Sequence, residues 1–147
     1  MNACNNKIFT EGCKLLLEAG SDVEDKVQET LWTPLHFAAM NGNTTVVKLL
    51  LSNMANPDSK DRIGGTPLHC ACQEGHVSSA KALLQGGADP LQPDSKGALP
   101  IHTAAQNNQS EVVRILISQA RCAPDQVIKN IVVPALHNIL IIISNSV

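Results

Sequence analysis

The chain has 147 residues, a formal net charge of −2 and 44% hydrophobic residues. That length is typical of one domain, and the apolar share is enough to bury a core. Basic and acidic residues nearly balance, 11 against 13, without a block of like charge, so nucleic acid is not an expected partner. Aromatic residues make up only 2%, which suits thin helical layers built from Leu, Ile, Val and Ala.

The cysteines and the first residues indicate the compartment. Five cysteines, an odd number without a C-x-x-C pair, argue against a disulfide framework. No charged segment followed by an apolar stretch opens the chain, as it would in a secretory signal. We therefore expect a cytoplasmic or nuclear protein.

The first predicted element is a helix that starts near Lys14 and ends at Gly20, a residue typical of helix C-caps. The residues before it are too few and too polar for a standard helical partner, so this element is interpreted as half of a helical pair. The stretch from Lys14 to Thr33 is one residue longer than its later counterpart, Lys48 to Thr66. This predicts an insertion and an irregular loop within residues 23–31.

Three helical pairs follow. Thr33 and Thr66 are predicted N-caps whose hydroxyls accept a backbone N–H, and the next residue is a proline, which is favoured at the first helical position. Leu99 replaces this threonine and Ala120 replaces a C-cap glycine, so weaker capping is expected in the third pair. The second helices of the pairs are predicted at 44–52, 77–84 and 111–118.

These elements repeat every 33 residues. Thr33-Pro34-Leu35-His36 recurs as Thr66-Pro67-Leu68-His69 and, with two changes, as Leu99-Pro100-Ile101-His102. Upstream, Asp61-x-x-Gly64 recurs as Asp94-x-x-Gly97. A period of 33 with Thr-Pro-Leu-His opening a helix resembles the ankyrin repeat, over roughly residues 12 to 122.

The resemblance implies an all-α solenoid of stacked helix pairs with β-hairpin-like loops. No single unit buries its own apolar face, so neighbours must stack. The predicted divisions are an incomplete first repeat with its hairpin loop, three repeats, and an apolar C-terminal cap or divergent tail. They span residues 1–32, 33–65, 66–98, 99–126 and 127–147.

The apolar segment 127–147 leaves three interpretations open. It is a helix that caps the last repeat, a membrane anchor, or the end of a truncated or alternatively ended chain. Pro134-Ala135-Leu136-His137 is similar to a repeat start displaced by one residue, which favours the cap. Polar residues and Pro134 interrupt the run, so a membrane anchor is not favoured. In a truncated chain, residues 139–143 would be an exposed, aggregation-prone run.

No pattern in the sequence indicates catalysis, a cofactor or a metal. His36, His69 and His102 are interpreted as structural, each binding backbone between adjacent loops, because stacked helices hold them too far apart to share zinc. His69, Cys70, Cys72 and His76 do not share one helix face. Phosphate-binding, metalloprotease and hydrolase motifs are missing. We expect a protein without enzymatic activity.

In proteins that this chain resembles, a protein partner is held by the hairpin tips and by exposed positions at the end of each first helix. The corresponding tip residues here are Glu29, Thr30, Trp32, Lys60, Arg62, Ile63, Gly65, Ser95, Lys96 and Ala98. The corresponding helix residues are Met40, Asn41, Gln73, Glu74, Gln106 and Asn107. Trp32 and Met40 are candidate apolar anchors, although packing against their own loop or helix is an equal alternative.

Two functions are therefore expected. The first is a protein-interaction module or adaptor in which Lys60, Arg62, Glu74 and Lys96 set charge selectivity. The alternative is a regulatory segment of a larger ankyrin-bearing protein, such as a channel, a kinase or a ubiquitin-ligase receptor. The chain is expected to be monomeric unless the open N-terminal helix or the apolar tail self-associates.

Overall fold

The computed structural model describes residues 3–120, with side chains described for residues 7–119. The predicted C-terminal cap at 127–147 lies outside this range. Seven helices and no strand occur in the described part of the chain. They are α1 (Ala3–Glu18), α2 (Pro34–Met40), α3 (Thr44–Ser52), α4 (Pro67–Glu74), α5 (Val77–Gln85), α6 (Pro100–Gln106) and α7 (Ser110–Ala120).

The helices form a two-layer stack. Within each pair, α2 packs on α3, α4 on α5 and α6 on α7. Between pairs, α2, α4 and α6 follow one another in one layer, and α1, α3, α5 and α7 in the other. The prediction of an all-α repeat solenoid is confirmed, and the predicted second helices agree with the observed ones to within two residues at each end.

Small residues allow the helix layers to approach closely. In α2, α4 and α6 the inward positions hold alanine or cysteine and are at most 1% exposed; they are Ala38, Ala39, Ala71, Cys72, Ala104 and Ala105. One large residue per helix, Leu35, Leu68 or Ile101, fills the space beside them and is at most 2% exposed. Full burial of such a side chain contributes about 1.5–3 kcal/mol, so each pair depends on its neighbour for stability.

The starts of α2 and α4 agree with the predicted N-caps and add a contact to each. Pro34 and Pro67 are the first helical residues, as expected. Thr33 and Thr66 are the N-cap residues, each in a capping box with the histidine three positions later. The Thr33 hydroxyl also lies 2.9 Å from Nδ1 of His36, and the Thr66 hydroxyl lies 3.0 Å from Nδ1 of His69.

Helix α1 is longer than the sequence pattern predicted. It begins at Ala3 rather than near Lys14 because no proline interrupts residues 3–13 and Gly12 costs only about 1 kcal/mol within a helix. Cys13 and Leu17 pack against the core. The other face of α1 is exposed at Ile8 (71%) and Leu16 (60%), so within the described residues the helix has a partner on one side only.

The predicted insertion in the first loop is confirmed. In the second loop the N–H of Gly64 donates to the carbonyl of Asp61, closing a turn across three residues. In the first loop the N–H of Leu31 donates to the carbonyl of Val27, four residues back. The extra residue leaves Leu31 with a positive φ of 59°, an uncommon conformation for a non-glycine residue.

In the layer of α1, α3 and α5, each helix is followed by a left-handed residue, and this residue is glycine except after α3. Gly20, Met54 and Gly87 follow α1, α3 and α5 with φ of 88°, 67° and 94°. After α3, the N–H of Met54 donates to Leu51 and that of the next residue to Leu50, a Schellman arrangement. Met54 therefore bears backbone strain that glycine avoids at the other two ends.

We expect Met54→Gly to stabilise the protein by about 0.5–1 kcal/mol. The left-handed conformation costs an L-residue about 1–2 kcal/mol, and the greater freedom of glycine in the unfolded chain offsets about 0.5–1 kcal/mol of the gain. The Met54 side chain is 86% exposed, so little packing is lost. Urea denaturation measures the effect. Met54→Ala, which keeps Cβ, is the control, and equal stability of the two variants would contradict the explanation.

Candidate partner-binding surface

Each of the two complete hairpin loops is shaped by an aspartate. Oδ1 of Asp61 accepts the N–H groups of Ile63 at 2.9 Å and Gly65 at 2.7 Å. Oδ1 of Asp94 accepts the equivalent N–H groups of Lys96 and Ala98, both at 2.8 Å. The carboxylate thus replaces water as the partner of the turn's backbone donors and holds each tip in one conformation.

Backbone hydrogen bonds join the tips of successive loops. The N–H of Arg62 donates to the carbonyl of Thr30 at 2.9 Å, and the N–H of Ser95 donates to the carbonyl of Ile63 at 3.0 Å. Side chains add further links: the Arg62 guanidinium donates to the carbonyl of Gln28 at 2.9 Å. The three tips therefore form one continuous row rather than three independent loops.

The predicted partner-binding side chains lie mainly on the surface. Twelve of the sixteen residues predicted to bind a partner are exposed, whereas Gly65 is buried and Ala98 is half-buried. Trp32 and Met40 are also half-buried, and both pack against the core. The hydrogen bonds bring the tip residues together in the row. The helix residues lie at the C-terminal ends of α2, α4 and α6 or directly after them.

Trp32 links the first loop to the second. Its indole Nε1–H donates to Oδ2 of Asp61 at 3.2 Å. Its ring contacts Phe37 edge-on, with centroids 4.9 Å apart, and stacks over His36 at 6.0 Å. Trp32 is thus fixed by three neighbours, which supports the expected alternative that it packs within its own chain.

Phe37 is a candidate contact residue that the sequence analysis missed. It lies on α2 beside Trp32 and is 38% exposed. The equivalent positions on α4 and α6 hold Cys70 and Thr103. The sequence could have indicated Phe37, because it is aromatic at a position where the other two repeats carry a small residue.

Buried histidines connect each repeat to the next. Nδ1 of His36 accepts the N–H of Thr33 at 3.2 Å, and Nδ1 of His69 accepts the N–H of Thr66 at 3.1 Å. An accepting Nδ1 places the proton on Nε2. Nε2–H of His36 then donates to the carbonyl of Gly65 at 3.2 Å, and that of His69 to the carbonyl of Ala98 at 3.1 Å.

Burial favours this neutral form. Desolvation lowers the pKa of His36 and of His69, and the opposing influences of the accepting carbonyl and of nearby aspartates are smaller. The interpretation of these two histidines as structural groups that bind backbone between adjacent loops is confirmed.

The thiols of α4 are buried, and the nearby His76 contacts the backbone of α2. Burial raises the pKa of Cys70 to about 12 and raises the pKa of Cys72 further, so neither is a thiolate near neutral pH. His76 Nε2 lies 3.0 Å from the carbonyl of Met40. Among the side chains described for residues 7–119, no three His, Cys, Asp or Glu residues are grouped so as to hold a metal ion.

Comparison with known protein families agrees with this architecture. Residues 1–94 and 60–130 match the family described as ankyrin repeats (3 copies). The chain belongs to the ankyrin-repeat family. The match begins at residue 1, which agrees with the observed extent of α1 and not with the shorter helix expected from the sequence.

Two curated relatives share part of these ankyrin repeats. Protein phosphatase 1 regulatory subunit 12A of Mus musculus and that of Rattus norvegicus are each 38% identical over 58 residues. The similarity covers 40% of this chain and 6% of each relative's length. Because 58 residues are fewer than two 33-residue repeats, the likeness concerns the repeat unit.

Ankyrin repeats imply a protein-interaction module, and the chain's fold is consistent with protein partners. Among the helices of the described residues, none is long and apolar enough to cross a membrane. The possible membrane anchor at 127–147 lies outside those residues.

We expect Trp32→Phe to lower the free energy of unfolding by about 1 kcal/mol. Phenylalanine retains a ring beside Phe37 but loses the bond from Nε1 to Asp61, and a hydrogen bond of this kind contributes about 0.5–1.5 kcal/mol. A double-mutant cycle with Asp61→Ala isolates the bond from the other contacts of Asp61. A coupling energy near zero would show that the indole N–H does not hold the two loops together.

We expect the stability to fall as the pH decreases through the histidine range. In the unfolded chain each histidine takes up a proton near its ordinary pKa of about 6.5, whereas buried His36 and His69 stay neutral to lower pH. The unfolded state therefore binds more protons. Below about pH 6.5 each of these two histidines lowers the free energy of unfolding by up to about 1.4 kcal/mol per pH unit. Above that pH neither histidine lowers it.

The variant His69→Gln tests this origin. It removes one lowered pKa, so its loss of stability between pH 7.5 and 5.5, measured by urea denaturation, should be smaller than that of the parent chain. Parallel pH profiles of the two proteins would contradict the assignment to His69.

Proposed function

We propose that the chain is a non-catalytic interaction module or adaptor that holds a protein partner along its hairpin tips and the ends of its first helices. We call this region the tip surface. It comprises Glu29, Thr30, Trp32, Met40, Asn41, Lys60, Arg62, Ile63, Gln73, Glu74, Ser95, Lys96, Gln106 and Asn107. A cytoplasmic or nuclear location is part of this proposal.

The observation that carries the proposal is the hydrogen-bonded row of tips. Ile63 is 62% exposed at the second tip although its carbonyl is fixed by Ser95. The backbone of this tip is already ordered, and its apolar side chain is exposed to water. A partner can therefore bury the side chain without first having to order the loop. Binding to such a surface avoids part of the entropy cost of association.

Aromatic and charged groups give the tip surface its selectivity. Phe37 extends the apolar area next to Trp32. Lys60 donates to the carbonyl of Pro93 at 3.2 Å, and Arg62 donates to Gln28, so each cation is positioned while retaining further N–H donors. Lys96 adds a third cation at the next tip, and Glu74 adds an exposed negative charge at the end of α4. The tip surface therefore favours a partner with complementary charges of both signs.

A second function is favoured by a different observation. Ile8, Phe9, Leu15 and Leu16 expose apolar area on α1, each at more than half of its surface. A segment working inside a larger regulatory protein would bury this face against a neighbouring unit, and the two relatives are regulatory subunits far longer than their match. The alternative is therefore a regulatory repeat segment of a larger ankyrin-bearing protein, of the channel, kinase or ubiquitin-ligase receptor kind.

Affinity capture from cell extract with matched double variants tests the proposal. Ile63→Ser/Lys96→Ser alters one exposed apolar residue and one exposed lysine of the tip surface. Met54→Ser/Lys81→Ser also alters one exposed apolar residue and one exposed lysine, but just after α3 and on α5, away from the tip surface. We expect recovery of specific partners to fall on the order of tenfold for the first variant, about 1.4 kcal/mol, and to stay unchanged for the second.

Circular dichroism first verifies that both variants keep the helix content of the parent. Equal loss of partners with both variants, or no loss with either, would contradict binding at the tip surface. Sedimentation measurements address the alternative function, since a chain that normally packs through α1 should self-associate, and Leu16→Ser should suppress this.

A further inference from the structure

Helices α2 and α6 end in the same way, each followed by an exposed asparagine as its C-cap. The backbone φ and ψ are −85° and −1° at Asn41, and −96° and 13° at Asn107. Nδ2 of Asn41 donates to the carbonyl of Phe37 at 2.9 Å. Nδ2 of Asn107 donates to the carbonyl of Thr103 at the same distance of 2.9 Å. The two side-chain amides are therefore held in the same way.

The residue that follows the asparagine differs between these two helix ends. Gly42 follows Asn41 with a φ of 66°, and Asn108 follows Asn107 with a φ of 57°. In both cases the N–H of the following residue donates at 3.2 Å to the carbonyl three residues back. The main chemical difference between the two ends is thus one side chain, which is present at residue 108 and absent at residue 42.

The stacking of the repeats requires glycine after Asn41. A Cβ on Gly42 would lie 2.5 Å from Nδ1 of His76, and Nε2 of that histidine lies 3.0 Å from the carbonyl of Met40. The positive φ of Gly42 would also strain any residue with a Cβ. Packing of one repeat on the next therefore keeps an Asn-Gly pair at the surface.

An Asn-Gly pair is chemically reactive because the next backbone nitrogen can attack the side-chain amide, and glycine has no Cβ to crowd this approach. The nitrogen of Gly42 loses its proton to solvent and forms a bond to Cγ of Asn41. The Cγ–Nδ2 bond breaks, and the leaving group takes up a proton from solvent to depart as ammonia. Water then opens the resulting succinimide ring at either carbonyl, which leaves aspartate or isoaspartate at residue 41.

We propose that Asn41 is a site of spontaneous deamidation, which converts an amide of the tip surface into a carboxylate. In the closed structure the amide is bonded to Phe37 and the N–H of Gly42 to Ala39, so the end of α2 must open before the reaction. Helix ends open locally at a lower free energy than the core, and Asn41 is exposed. The modification is independent of partner binding at the tip surface.

The product changes the end of α2 in two ways. A carboxylate has no N–H to donate to the carbonyl of Phe37, and it adds a negative charge at the negative end of the helix dipole. The stack nevertheless accommodates an acid at this place, since the corresponding residue of the next repeat is the exposed Glu74. Deamidation therefore alters the charge of the tip surface without requiring the fold to open.

Mass spectrometry of the full chain after incubation at mildly alkaline pH tests the proposal. Trypsin releases residues 27–48, which contain Asn41, and residues 97–114, which contain Asn107. Incubation in water labelled with heavy oxygen marks the product formed during the experiment, and fragment ions assign the residue. We expect deamidation at Asn41 to be faster than at Asn107 by on the order of tenfold or more.

Two variants reverse the behaviour of the two sites. Asn108→Gly places glycine at a residue that already has a positive φ, and it should raise the rate at Asn107 towards that of Asn41. Asn41→Gln keeps an amide but requires a larger ring for the attack, so it should suppress deamidation at residue 41. Circular dichroism verifies that both variants keep the helix content of the parent.

Three outcomes would overturn the proposal. Equal rates at Asn41 and Asn107 in the parent chain show that the following residue does not control the reaction. An Asn41 amide that remains intact in the folded chain shows that the end of α2 stays closed. Product that forms only in urea concentrations that unfold the chain assigns the reaction to the unfolded state.

Discussion

The structure depends on a histidine that belongs to two repeats at once. Nδ1 of His36 or His69 holds the start of its own helix, and Nε2–H reaches the loop of the next repeat. One neutral side chain therefore satisfies a backbone donor on one side and a backbone acceptor on the other. Since both lie where water is excluded, the bonds are stronger than exposed ones and costly to lose. His102 makes only the first of these two contacts within the described residues, through Nδ1 and the N–H of Leu99.

The histidine bonds to the next loop also hold the tip surface in place. Gly65 and Ala98, whose carbonyls accept the histidines, also donate their N–H groups to the aspartates that shape the hairpins. The position of a tip is thus tied to the buried core through a few bonds. Backbone pairing between tips then spreads this order along the row, so that exposed residues on loops are held nearly as firmly as residues on helices.

The two ends of the stack are physically different. At α1 large apolar side chains are exposed among charged ones; the apolar residues are Ile8, Phe9, Leu15 and Leu16. At α6 the buried Nε2 of His102 has no hydrogen-bond partner among the described residues. Apolar area binds many shapes, whereas an unpaired donor requires a specific group in a specific place.

The amino-acid sequence determined the architecture through its 33-residue period. The prolines fixed the starts of α2, α4 and α6, and the pattern of leucine and alanine fixed their buried faces, because these preferences act within a few residues of chain. The one-residue insertion before Leu31 was also visible by counting. Local rules of this kind predicted the second helices to within two residues.

Only the tertiary structure decided what lies across the repeats. Nε2 of His36 reaches the carbonyl of Gly65, 29 positions away, and Trp32 is bonded to Asp61, also 29 positions away. Phe37 lies beside Trp32 and is partly exposed. The length of α1 likewise exceeded its local pattern. Hydrogen bonds and contacts between residues this far apart depend on how neighbouring units stack, and stacking brings together groups that no local sequence preference relates.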